Sequence, residues 1–313
     1  MRIVFLGSSE FALPALKALV VGNYDVSLVV TQPDRKKGRG LILQATAVKK
    51  FAQERGLKVY QPPQINSAEA IQSLKNTGAD LFIVISYGQI LSKEVLGIPK
   101  ILSINAHASL LPKYRGAAPV NWAIIKGETT TGVTIMKVDE KMDTGPILLQ
   151  KELDILPDEN AVELEDRLAI LASELLVSSL KSIENNNFSL KEQDDSLASL
   201  APKLSKEDGV IDWRNSAGDI HNLIRGCRDW PGAFSYYKSQ VLKIHKANVV
   251  LSNESKPQPG KILDVSPQGI TVSAGEGNII IKELQIEGKR EMTAKEFIQG
   301  HKISVGQALE NKK

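Results

Sequence analysis

Apolar positions in the first half of the chain come in short dense runs rather than in alternation. Residues 3–6, 26–30, 81–85 and 101–104 are rich enough in aliphatic side chains to read as strands buried on both faces. Between them lie helical patterns over 13–21, with Pro14 in the first turn, over 46–55 and over 67–76. Gly56 and Gly78 stand just beyond two of these, where a left-handed cap is favoured. Such alternation predicts an α/β fold: an open, mostly parallel sheet with helices on both faces, Rossmann-like in layout. Beyond residue 107 the pattern continues with a helix over 118–126 and strands over 132–138 and 147–153. A longer helix follows, with Leu164, Leu168, Leu171 and Leu175 on one stripe.

Polar residues then interrupt the pattern at 184–188 and 191–199, and a linker is expected over 188–204. From residue 205 the texture changes to short strand-like segments at 210–213, 233–237, 241–250, 261–265, 269–273 and 278–286, separated by Gly and Pro turns. Five or six strands in about a hundred residues predict a small C-terminal β-barrel, with an OB-like form favoured because it suits nucleic acids. Thr293 caps a last helix, closed at Gly300. The expected division is a catalytic domain over 1–187, the linker, and a second domain over 205–313.

Length agrees with two domains, since 313 residues exceed one ordinary core. The chain is 42% hydrophobic and 24% charged, the balance of a globular protein. No apolar stretch nears the ~20 residues of a membrane span. A cytosolic protein with no membrane partner, and a monomer, is expected. Cys227 is the only cysteine, and His107, His221, His245 and His301 are too scattered for a local zinc motif, so neither disulfides nor a metal is expected. The net charge of +3 hides an asymmetry. Residues 201–313 carry 17 Lys and Arg against 13 Asp and Glu, which is compatible with a polyanionic partner.

Gly7-Ser8-Ser9-Glu10 follows the first strand, but the spacings of a dinucleotide fingerprint and of a P-loop are both absent. Ligands still bind at the carboxyl ends of strands in an open α/β sheet, and Asn105 and His107 lie at such an end. Two residues apart on an extended segment, they point the same way. A loop closing at Gly145 could bring Asp143 to face them. An amide donor, an imidazole and a carboxylate suit an acyl transfer in which no side chain is the nucleophile. In isolation an Asn-x-His pair is more often two satisfied polar groups at a strand end. The string Ser109-Leu110-Leu111-Pro112-Lys113-Tyr114-Arg115-Gly116 that follows is far more specific than its parts.

On Asn105 through Pro119, Thr131 through Thr134 and Asp139 through Gly145, the chain resembles the folate-dependent formyltransferases that use 10-formyltetrahydrofolate. The branch it resembles, over nearly its whole length, formylates an initiator tRNA. Residues 31–40 match that branch's tRNA-binding loop, and 201–213, 230–233 and 288–301 match its C-terminal domain. Two stretches depart from the family pattern: Gly7-Ser8-Ser9-Glu10 and Cys227-Arg228-Asp229.

The resemblance implies an enzyme of translation initiation that transfers the formyl group to the free amine of methionyl initiator tRNA. It implies Asn105, His107 and Asp143 as catalytic residues. Asn105 and a protonated His107 would face the developing oxyanion, and Asp143 would favour the charged ring. Tyr87, Gly88, Ile90, Leu91, Ser109, Leu110, Leu111 and Pro112 are implied for the folate. Arg35, Lys36, Lys37 and Arg39 are implied for the tRNA, on a loop that orders against the acceptor stem; without the match, such a run is an ordinary solvated charge cluster. The rival readings are a formyltransferase with a small acceptor, such as an amino-sugar nucleotide or glycinamide ribonucleotide, a formate-releasing hydrolase, and an RNA-binding protein without catalysis.

Overall fold

The computed structural model describes residues 1–37, 42–250 and 258–311. The chain divides into two compact units. One comprises Met1–Ala117, Thr130–Asp154 and Glu165–Ala201; the other comprises Ala118–Thr129, Ile155–Leu164 and Pro202–Lys313.

The first unit begins with β1 (Arg2–Gly7), α1 (Leu13–Val21) and β2 (Asp25–Val30). A short antiparallel pair, β3 (Arg35–Lys37) and β4 (Ile42–Gln44), precedes α2 (Ala47–Glu54), β5 (Val59–Tyr60) and α3 (Ala68–Lys75). Then come β6 (Leu81–Ile85), α4 (Lys93–Leu96) and β7 (Leu102–His107). The chain passes through α5 (Pro119–Ile125), in the second unit, before β8 (Thr130–Lys137), β9 (Ile147–Asp154) and the long α6 (Ala161–Glu184).

Strand order in the large sheet is β5-β2-β1-β6-β7-β8-β9. The five strands from β5 to β7 run parallel, whereas β8 pairs antiparallel with β7 and β9 antiparallel with β8. Continuous apolar runs are explained by burial on both faces, for Ile3, Val4, Phe5 and Leu6 are all fully buried. Side-chain caps start the helices where the sequence predicts: Thr46 accepts from the Lys49 N–H and Ser67 from the Ala70 N–H. Gly56 and Gly78 follow at positive φ.

The second unit packs α7 (Ala217–Gly226) with an antiparallel sheet of β10 (Ala233–Tyr237), β11 (Gln240–Val250), β12 (Ile262–Ser266), β13 (Gly269–Ser273), β14 (Asn278–Ile286) and the short β15 (Met292–Thr293). The order is β10-β11-β14-β13-β12, with β15 on β14. The last helix, α8 (Ala294–Gly300), carries a full capping box between Thr293 and Glu296.

Among the described residues β10 and β12 do not pair with each other. Instead, the C-terminal segment bonds to both edges. Glu310 exchanges backbone hydrogen bonds with Tyr236 of β10, and on the other side the Gly306 N–H donates to the Ile262 carbonyl while the Ile262 N–H donates to that of Gln307.

Two expectations fail locally in this unit. Residues 210–213 make only an isolated bridge from Val210 to Phe234, not a strand. Asp212 accounts for this, because its carboxylate accepts from the Arg214 N–H (3.0 Å) and guanidinium (2.6 Å), a local turn that competes with a ladder. Helix α7 lies in a stretch with no expected element. Ser216 caps it by accepting from the Asp219 N–H, and the interior Gly218 hides the helical signal.

Candidate active site

Asn105 and His107 both belong to β7, so the strand's two-residue period aims them at the same side. Their strand lies between β6 and β8, with Asn105 opposite Val84 on one side and Met136 on the other. His107 is 6% exposed. Its Nε2 lies 2.9 Å from the Tyr114 carbonyl, and since a carbonyl only accepts, Nε2 carries a proton there. Its Nδ1 faces Asp143 Oδ2 at 3.6 Å. At that distance the contact to Asp143 is a pairing of ring and carboxylate rather than a hydrogen bond. The pair is nearly shut off from water, which strengthens attraction between opposite charges.

Asp143 is held from several sides. Its Oδ2 also accepts from the Gly116 N–H at 2.8 Å, and its backbone takes a left-handed φ of 56°, uncommon outside glycine. Thr144 Oγ1 donates to Asp139 Oδ2 at 2.7 Å, closing the loop on itself. Gly145 packs so tightly that a Cβ would overlap the Lys137 carbonyl. Glycine is required there by close approach.

The Asn105 side chain has no hydrogen-bond partner among the described residues and is half-buried. His107, by contrast, spends its Nε2 proton on Tyr114. Of the two side chains, Asn105 is therefore the one whose N–H groups have no acceptor among the described residues. Sequence alone could not foresee the Tyr114 contact, because it depends on how the loop after β7 folds back.

The residues proposed for the folate lie in the loops after the adjacent parallel strands β6 and β7. Tyr87, Leu91, Ser109 and Leu111 are buried, Leu110 and Pro112 half-buried, and Gly88 and Ile90 exposed. The turn at 109–112 is stitched to its neighbours. Thr134 Oγ1 donates to the Ser109 carbonyl (2.7 Å) and accepts from the Leu111 N–H (3.1 Å), and Gln150 Nε2 donates to the Leu111 carbonyl (2.8 Å). Thr134 closes a stretch that carries the family resemblance, whereas Gln150 had no signal in the sequence. Burial pushes the Tyr87 hydroxyl up to about 12, with Tyr60 nearby adding to the rise. That hydroxyl, Ser9 Oγ and Gln32 Nε2 are buried without a hydrogen-bond partner among the described residues.

Of the proposed tRNA contacts, Arg35, Lys36 and Lys37 form β3, with Arg35 and Lys36 exposed. Arg39 lies outside the described residues. The base of this segment is tied down: Lys49 pairs with Asp34 at 2.7 Å, and Gln61 Nε2 donates to both Asp34 Oδ1 and the Gln32 carbonyl at 2.8 Å. Hydrogen bonds from Gln61 first and Lys49 second hold the Asp34 carboxyl below the usual carboxylate range. Arg35 reaches back to Gln32 Oε1 at 2.9 Å. Among the described residues no cluster of His, Cys, Asp and Glu could hold a metal ion. No described helix is long and apolar enough to cross a membrane.

A family model described as formyl transferase matches residues 1–180, and one described as formyl transferase, C-terminal domain, matches 203–302. The methionyl-tRNA formyltransferase of Acetivibrio thermocellus is 46% identical over 309 residues, covering 99% of both chains. That of Clostridium novyi is 47% identical over 310 residues, covering 99% of this chain and all of its own. The chain belongs to the methionyl-tRNA formyltransferase family. Solved structures share its fold at lower identity. A sugar 3N-formyl transferase crystallised with dTDP and 5-N-formyl-THF superposes with a TM-score of 0.67 at 21% identity, over 93% of this chain and 99% of that one. An N-formyltransferase from Helicobacter canadensis, in complex with folinic acid and dTDP-3-aminofucose, gives 0.69 at 20% identity, over 90% and 98%. Formyltransferases with sugar and tRNA acceptors thus share this fold, and the choice of acceptor has to be argued from other features.

Proposed function

We propose that this chain transfers the formyl group of 10-formyltetrahydrofolate to the free amine of methionyl initiator tRNA. The observation that carries the reading is the Asn105 amide, without a hydrogen-bond partner among the described residues, two residues before an imidazole held against the Asp143 carboxylate. Attack by the amine on the formyl carbon forms the new C–N bond and moves the carbonyl pair onto oxygen. The Asn105 N–H donates to that oxygen, where charge develops. The attacking nitrogen then has a proton to lose, and N10 of the folate needs one before its bond to the formyl carbon can break. Asp143 Oδ1, with no protein partner among the described residues, is open to that proton or to a water carrying it. His107, fixed between Tyr114 and Asp143, balances the charge as the proton passes. Tetrahydrofolate departs, and the amide product remains on the tRNA.

Near-full-length likeness to methionyl-tRNA formyltransferases supports the tRNA acceptor over a small one. So do the exposed Arg35 and Lys36 of β3, which fit a phosphate backbone. Arg39 completes that basic run in the sequence. Neutralising phosphates with such side chains makes binding fall as salt rises.

Formyl transfer should be measured on methionylated initiator tRNA, on methionylated elongator tRNA, on free methionine and on amino-sugar nucleotides. Strong preference for the first is expected. Faster transfer to a small acceptor, or release of formate alone, overturns the assignment.

A further inference from the structure

Residues 191–201 read as connector by composition, yet they hydrogen-bond to both loops of the proposed site. Lys191 exchanges backbone hydrogen bonds with Ile147, just past Gly145. Farther along, the Arg115 N–H donates to the Ser199 carbonyl and the Ala201 N–H to that of Arg115, while Ser199 Oγ accepts from the Tyr114 N–H at 2.9 Å. Gly116 runs so close to this segment, at φ 129°, that a Cβ would come within 2.5 Å of the Ala201 carbonyl.

Gln193 joins the two loops through one side chain. Its Nε2 donates to the carbonyls of Asp143 (2.9 Å) and Gly145 (2.8 Å). Its Oε1 accepts from Arg115 Nε (3.1 Å) and Arg115 Nη2 (2.8 Å). All four bonding positions of the amide are occupied. Arg115, only 8% exposed, is drawn further toward the segment by Asp195 at 2.7 Å. On either side of Arg115 lie the two backbone groups that touch the site: the Tyr114 carbonyl, on His107, and the Gly116 N–H, on Asp143.

We propose that Gln193 is a positioning residue for formyl transfer, setting the separation of Asp143 and His107 by bonding at once to the backbone beside Asp143 and to Arg115. This rests on the functional reading above and deepens it. Gln193 has donors for the strained Asp143 turn and an acceptor for the arginine, in a side chain long enough to span both. Glutamate at 193 keeps the acceptor and loses both donors. Leucine keeps similar bulk and loses everything polar. Misplacement of a reacting group by about 1 Å can cost roughly 100-fold in rate.

The test uses full-length protein carrying Gln193→Leu or Gln193→Glu, each also made in an Asp143→Ala background. Initiator methionyl-tRNA and 10-formyltetrahydrofolate are the substrates, and crystals of the single variants supply the distance. The expected result is a kcat lowered by about 10- to 100-fold with both KM values within about twofold, the range set by such misplacement. In the Asp143→Ala background the same change should cost less than about twofold, as it must if Gln193 acts through Asp143. The Asp143 to His107 separation should lengthen beyond 3.6 Å.

Unchanged kcat, an equal loss in both backgrounds, or an unchanged separation overturns the proposal. Should the leucine variant not fold, the glutamate variant, with its Arg115 contact retained, decides alone. A wild-type enzyme that formylates no acceptor defeats the functional reading, and the crystallographic separation then still decides the role of Gln193.

Discussion

Buried polar groups are handled differently in the two units of this chain. In the second unit they are closed off. Ser235 Oγ accepts from Trp213 Nε1 at 2.9 Å and donates to the Glu310 carbonyl at 2.8 Å, while buried Arg225 is shared among Asn222 Oδ1 and the Glu159 carbonyl. In the first unit, three buried polar atoms lack any partner among the described residues: Ser9 Oγ, Gln32 Nε2 and Tyr87 OH. They follow β1, β2 and β6, three neighbouring parallel strands, and lie beyond their carboxyl ends. Leaving such atoms unbonded costs stability, and the cost is concentrated where an open α/β sheet holds its ligands. One unit is finished as a structure, and the other is left incomplete around its site.

The largest effect should come from opening the finished unit. Trp213 is 1% exposed and lies in the core cluster with Ile220, Leu242 and Phe297. Trp213→Ala should destabilise the second unit by about 3–5 kcal/mol, through lost burial and the cavity left behind. Trp122, Trp213 and Trp230 are the only tryptophans and all belong to this unit. Indole fluorescence during urea unfolding therefore reports on it alone. A shift worth less than about 1 kcal/mol would contradict the view of this interior as tightly closed.

Next in size is the loss of a group that the first unit leaves free. Asn105→Ala should lower kcat by about 100- to 1,000-fold, the range for removing one oxyanion donor. Because the Asn105 side chain bonds to no described residue, the melting temperature should hardly move. A large fall in stability with little loss of rate would reverse the assignment, making Asn105 structural.

How much of this was legible follows the same division between local and distant causes. Strands buried on both faces betray themselves by unbroken aliphatic runs, so β1, β2 and β6 were plain from the sequence, and Thr293 marked its helix by local capping. Asp212 misled because a side chain closing on its own neighbours leaves no trace in the hydrophobic pattern. The pairing of His107 with Asp143 was readable as a possibility, since two motifs supplied the groups. Gln193 was not, for its partners stand 48, 50 and 78 residues away and its surroundings are merely polar. Tertiary hydrogen bonds of that kind have no period.

The smallest effect concerns pH, and it sharpens the contrast because it should arise in the closed unit. His245, on β11, is surrounded by Arg228, Glu291, Gln285 and Lys243. An Arg228 N–H lies 3.0 Å from its Nδ1, so Nδ1 must accept, and Nε2 is left to donate to Gln285 Oε1 at 3.2 Å. That arrangement demands a neutral ring. Burial is the main force lowering its pKa from the ordinary 6.5, with Arg228 and Lys243 contributing and Glu291 and Gln285 opposing. His221, in the same unit, is lowered too, by burial and then by Arg225, against Asp158. With folded values below the unfolded one, the unfolded chain binds more protons once the pH drops under 6.5, and stability falls with it. Above 6.5 the contribution is complete, and below the folded values the decline ends. Replacing His245 with Gln removes one of the two titrations. Melting of the second unit, followed by tryptophan fluorescence between pH 7.5 and pH 5, should therefore decline by a few degrees less in His245→Gln than in the wild type. Parallel declines would mean that the Arg228 contact imposes no cost on protonating the ring, and would remove the argument that this interior holds the imidazole neutral.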